Sequence, residues 1–169
     1  MTRERYASLP DDVGVFRIAR VGGGFLPDGH LMPKPEWLEP TKADQEEAKQ
    51  TGRLPGTSVW EVPGGTHGAA CWIRNADEQS HRSFVAKVHD VRTVATKHAR
   101  ELAVVADCLE HPEADARWPS LTDNGRELVR ATCDAHALVE GIKRPAGTSE
   151  VAHRSFREEV ARTFEPMPE

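Results

Sequence analysis

Two pairings of histidine with aspartate have the residue types and spacing for proton transfer or metal binding. Asp134 and His136 could form a general base oriented by a carboxylate, because imidazole titrates near neutrality. That is the equipment of a hydrolase or a nucleotide-processing enzyme. A structural role stands beside it, since a histidine next to the apolar run Ala137-Leu138-Val139 can instead bond a backbone carbonyl inside the fold. His89-Asp90 could hold a divalent metal that activates water, with His67 or His81 upstream and Asp107 or Asp134 downstream. The same pair is explained without metal if Asp90 caps a helix starting at Val91, and the expectation is no metal and no cofactor. Cys71, Cys108 and Cys133 are widely spaced with no C-x-x-C, which fits small thiols in a reducing compartment.

These residues need elements to position them. Val15–Arg20 alternates as a strand, with Phe16 and Ile18 on one face and Arg17 and Ala19 on the other. Gly22–Gly24 and Pro27-Asp28-Gly29 then break the chain into a long loop, pinned by Phe25, Leu31 and Trp37, which are also the candidate partner-binding side chains. Thr41 and Asp44 have capping-box spacing and Gly52 a helix-ending place, so a polar surface helix is expected between them. Thr57–Val62 reads as a second strand, Ala69–Ile73 as a short helix, and Phe84–Val88 as a third strand.

From Val91 to Leu109, apolar residues recur every three or four positions, which predicts one helix ending before Pro112. Leu128, Ala131, Ala135, Leu138 and Ile142 suggest another helical face starting at Asn124, although residues 134–142 read equally well as a strand. Val151, Phe156, Val160 and Phe164 mark a docked C-terminal helix.

Three resemblances attach to these residues. Phe25-Leu26-Pro27-Asp28-Gly29, Trp37 ahead of Pro40-Thr41, Ser58-Val59 and His136-Ala137-Leu138-Val139-Glu140-Gly141 together resemble a family of short bacterial proteins with those motifs in that order. The resemblance implies a bacterial chain and a strand at His136, and it departs from the family pattern over residues 89–120. It carries no mechanism. His89-Asp90 resembles the pair of an HD-type phosphohydrolase. Arg17, Ser58 and Glu61 resemble an ADP-ribosyltransferase set, which implies Arg17 on dinucleotide phosphates, Ser58 on the nicotinamide ribose and Glu61 orienting the nucleophile.

With 169 residues, 27 acidic against 22 Lys and Arg, and a formal charge of −5, the chain suits one domain and gives no broad basic face for generic nucleic-acid binding. No apolar run has secretory or membrane-spanning length, so the expectation is a cytoplasmic protein with no membrane partner. The expected fold is a single α+β domain: a mixed or antiparallel sheet of three to five strands on two or three helices, with loose ends over 1–12 and 165–169. The leading functional expectation is an accessory or protein-interaction domain whose partner is another protein. A hydrolase built on His136/Asp134 or His89/Asp90 and a transferase built on Arg17 are the rivals.

Overall fold

A computed structural model describes residues 3–20 and 34–168. In chain order it contains β1 (Gly14–Arg20), a 3-10 turn (Pro35–Leu38), α1 (Lys42–Thr51), β2 (Gly56–Val62), α2 (His67–Arg74), β3 (His81–Lys87), α3 (Val88–Lys97) and β4 (Ala103–Ala106). A second 3-10 turn (Trp118–Ser120), α4 (Asp123–Asp134), β5 (His136–Glu140), α5 (Glu150–Thr163) and β6 (Glu165–Pro166) follow. The strands form one six-stranded sheet in the order β4-β5-β2-β1-β3-β6, antiparallel throughout. The mixed α/β class is as expected. The count is larger, with six strands and, among the described residues, five α-helices.

Strand alternation decides what each face buries. Val15, Ala19, Val59, Phe84, Ala86, Ala137 and Val139 point to one face, where Val88 and Val91 of α3 and Phe156 and Val160 of α5 cover them. Phe16, Ile18 and Trp60 point to the other face, against Ala70 and Cys71 of α2. There α4 adds Val129 and Cys133, packed with Trp118 and Ala69. The expected split of Phe16 and Ile18 from Arg17 and Ala19 is therefore what the sheet uses.

The single helix predicted over 91–109 is two elements. α3 begins earlier, straight from β3 at Val88, and stops at Lys97, where His98 caps it and Ala99 takes a left-handed backbone (φ 52°). Ala103–Ala106 then pairs with β5 as an edge strand. Asp90 is not the cap: it lies within the first turn of α3, and Lys87 is the N-cap residue, without a side-chain bond. Residues 136–140 are strand, and α4 starts from Thr122, whose hydroxyl accepts from the Gly125 N–H, rather than from Asn124. The predicted α4 face is also displaced: Leu128 is exposed, while Val129, Thr132 and Cys133 are buried.

Described residues of both segments expected as loose ends are held against the sheet. Leu9 is buried, and the Tyr6 and Leu9 N–H groups donate to Ala106 and Val104 at 2.6 and 2.9 Å, which covers the outer edge of β4. At the opposite edge β6 pairs with β3, and the Met167 N–H donates to Ser83 at 2.9 Å.

Candidate functional site

His136 is buried at the start of β5. Its Nδ1–H donates to the backbone carbonyl of Asp107 at 2.7 Å, and the Asp107 carboxylate lies 3.3 Å from the same nitrogen. Its ring meets Trp60 edge-on, with centroids 5.6 Å apart. Asp134 is not its partner. As the last residue of α4, Asp134 pairs with His111 Nε2 at 2.8 Å and accepts from Cys108 at 3.5 Å. The neighbouring strand supplies the carboxylate instead, because β4–β5 pairing continues to the Asp107 N–H, which donates to the His136 carbonyl at 2.9 Å.

Asp107 also accepts from Arg5 Nε at 2.9 Å. Burial opposes ionisation of Asp107, but the hydrogen bonds and charges of His136 and Arg5 outweigh it and hold this carboxyl below its ordinary value. A carboxyl that is more acidic in the folded state contributes stability above its unfolded pKa and loses it as pH falls through the folded one. The urea midpoint is therefore expected to drop as pH falls below about 4, and Asp107→Asn should make that acid limb shallower. An unchanged acid limb in the variant would count against the ion-paired assignment.

Arg17, Ser58 and Glu61 do not converge. Arg17 lies in β1 opposite Phe84, on the α5 face, whereas Ser58 pairs with Leu138 on the opposite face. Arg17 touches Ser58 only through the backbone, donating from Nη1 to its carbonyl at 2.7 Å and from Nε to the carbonyl of Trp37. It thereby ties the 3-10 turn to the sheet. Burial lowers its pKa to about 10, so it stays a cation at neutral pH. Glu61, at the far end of β2, pairs with Arg3 at 2.9 Å.

His89 and Asp90 are exposed on the first turn of α3, with His89 3.8 Å from Asp11. Among the described residues no three His, Cys, Asp or Glu side chains are grouped to hold a metal ion. Trp37 is half-buried and edge-on to His81, and Phe25 and Leu31 lie outside the described residues.

The arrangement with the geometry of a reacting pair involves Ser83, which the sequence did not single out, and His67, considered there only as a distant metal ligand. His67 opens α2, whose cap is Thr66, accepting from the Ala69 N–H. Gly65 places this helix on the sheet: a Cβ there would lie 2.9 Å from the Phe16 ring and 3.0 Å from Trp60, so only glycine allows so close an approach. α2 ends at Asn75 in a left-handed conformation, and a turn over Asp77–Ser80 returns the chain as β3. Ser83 stands opposite Ile18 in the sheet, which aims its side chain at α2.

Ser83 Oγ and His67 Nδ1 are 2.7 Å apart, and His67 Nε2 is 3.1 Å from the Glu78 carbonyl. A carbonyl can only accept, so in the neutral ring Nε2 carries the hydrogen and Nδ1 offers its lone pair to the Ser83 hydroxyl. Both residues line a cleft of about 790 Å³, together with Asp77, Glu78, Gln79, His81 and Arg82.

Cys71 Sγ lies 3.7 Å from His67 Nε2. Burial, with the charges of Glu78 and Asp77, pushes this thiol up to about 11, and burial likewise pushes Cys133 up to about 11. Cys71 meets the Nε2–H of His67 rather than a lone pair, so among the described residues Ser83 is the nucleophile that His67 Nδ1 can deprotonate. Comparison with family models, curated proteins and solved structures finds no match. Among the described residues no helix is long and apolar enough to cross a membrane.

Proposed function

We propose that the chain is a serine hydrolase for a small ester or amide, with Ser83 as nucleophile and His67 as general base. The observation that carries this reading is the tautomer: the Glu78 carbonyl orients His67 so that Nδ1 accepts the Ser83 hydroxyl at 2.7 Å, in the wall of a cleft of small-molecule size. In the reaction, Ser83 Oγ bonds to the acyl carbon while its proton moves to His67 Nδ1. The leaving alkoxide or amine takes that proton as its bond to the acyl carbon breaks. Water then attacks the acyl-serine, gives a proton to His67, and releases the acid as Ser83 recovers its hydrogen. The backbone carbonyl takes the orienting place that a carboxylate holds in the familiar triad, since either acceptor fixes which ring nitrogen is free.

An alkyl fluorophosphonate tests this directly, because it reacts with serines activated by a base. Intact-mass measurement and peptide mapping of the folded protein are expected to find one adduct on Ser83, absent from His67→Gln. No adduct on Ser83, or undiminished labelling of the His67 variant, would reduce the pair to a pin between α2 and β3. The accessory or protein-interaction reading, with Trp37 edge-on to His81 in the wall of the cleft, would then take its place.

A further inference from the structure

On the opposite face of the sheet, beside α5, lies a second cleft of about 570 Å³, lined by Glu39, Lys143, Arg144, Glu150, His153, Arg154 and Arg157 among others. We infer that it binds a small phosphorylated molecule carrying at least two negative charges, of the size of a nucleoside diphosphate. Four cations line it against two carboxylates, in a chain whose formal charge is −5. The carboxylates are already engaged. Glu39 accepts from His153 Nε2 at 2.6 Å and from Arg157 Nη1 at 3.1 Å, and Glu150 lies 3.5 Å from Arg154. Lys143 and Arg144 are exposed and make no ion pair among the described residues, and the buried Nε of Arg157 has no hydrogen-bond partner there. Arg157 is held by Glu36 at 3.5 Å and Glu39 at 3.1 Å, whereas the charges of Lys143 and Arg144 are free for an incoming anion.

The wall that presents these cations is built. Arg100 Nη2 lies 2.8, 3.0 and 3.0 Å from the consecutive carbonyl oxygens of Gly141, Ile142 and Lys143, which share its two hydrogens, and its guanidinium lies 4.1 Å above the Phe156 ring. Three carbonyl dipoles that would otherwise repel an anion are thus turned onto one cation, and the loop leading to Arg144 is fixed. Arg100 Nη1 also lies 3.2 Å from His153 Nδ1. Because a guanidinium can only donate, that nitrogen accepts and Nε2–H is the donor to Glu39. His153 therefore links the loop to the 3-10 turn through both ring nitrogens. Arg144, exposed and in no ion pair among the described residues, favours phosphoryl oxygens, whose geometry the guanidinium fork matches. The four cations come from two stretches of sequence, 143–144 and 154–157, which is why no basic run announces them.

Calorimetric titration with inorganic pyrophosphate and with ADP, at low ionic strength and without metal, tests the assignment. Saturable binding of either is expected, weakened about tenfold or more in the double variant Lys143→Glu, Arg144→Glu. Stronger binding of ADP than of pyrophosphate would add the nucleoside to the recognised chemistry. Both replaced side chains are exposed, so the variant should melt with the natural chain, and a control variant Arg82→Ala in the other cleft should bind as the natural chain does. Saturation by neither ligand, or equal affinity in the double variant, would overturn the inference.

Discussion

Ser83→Ala is expected to lower the turnover of p-nitrophenyl acetate by ~100-fold or more while the protein stays folded. The hydroxyl makes one intramolecular bond, to His67, so its loss should cost only about 1 kcal/mol of stability. His67→Gln should reduce turnover by a similar factor, because without the lone pair at Nδ1 the Ser83 proton has no acceptor as the acyl bond forms. The decisive measurement is the double variant. A nucleophile and its base act as a unit, so removing both should cost little more than removing either one. If the two losses multiply instead, or if neither variant slows turnover, Ser83 and His67 do not act together on the substrate and the hydrolase reading fails.

The same pair shows where sequence reading stops. The α1 boundaries were legible because their causes are local: the Thr41 hydroxyl accepts from the Asp44 N–H, the Asp44 carboxylate accepts from the Thr41 N–H, and Gly52 takes the left-handed conformation at the end. β2 was legible through its β-branched content and α5 through the spacing of Val151, Phe156, Val160 and Phe164, of which Val151 is exposed and the other three are buried. Pairing across the sheet has no local signature. Leu102, Val105 and Ala106 continue the helical period of α3 by coincidence, and Ala103–Ala106 becomes a strand only through distant partners, β5 on one side and residues 6–9 on the other.

Ser83 was missed for a related reason. A third strand placed at Phe84–Val88 leaves this serine outside it, whereas the observed strand His81–Lys87 puts Ser83 on the same face as Val85. A hydroxyl at a core-facing register position was the available signal, and it becomes visible only once the strand start is right. The His136/Asp134 pairing failed because residues two apart in sequence here belong to different elements. α4 ends at Asp134 and β5 begins at His136, so the two side chains leave the junction in different directions and find different partners.

His136→Ala is expected to destabilise the protein by about 3 kcal/mol without slowing turnover per folded molecule. His136 is only 4% exposed, and it satisfies the Asp107 carbonyl while flanking the Asp107 carboxylate. Alanine leaves that carbonyl without its 2.7 Å donor, and it opens a cavity beside Trp60, which is itself fully buried. It also removes one of the two groups that hold Asp107 ionised, leaving Arg5 alone against the cost of burial. In a chain of this length each kcal/mol moves the melting temperature by roughly 2–4 °C, so the variant should melt roughly 6–12 °C lower. Catalysis works on a different scale, since losing a true general base costs ~100-fold or more in turnover and leaves the melt nearly unchanged. Turnover of p-nitrophenyl acetate, measured well below the variant's melting point and normalised to folded protein, separates the two roles. Unchanged turnover with a lowered melt fits an internal brace between β4 and β5, whereas lost turnover with an unchanged melt would move the reacting centre from Ser83 and His67 to His136.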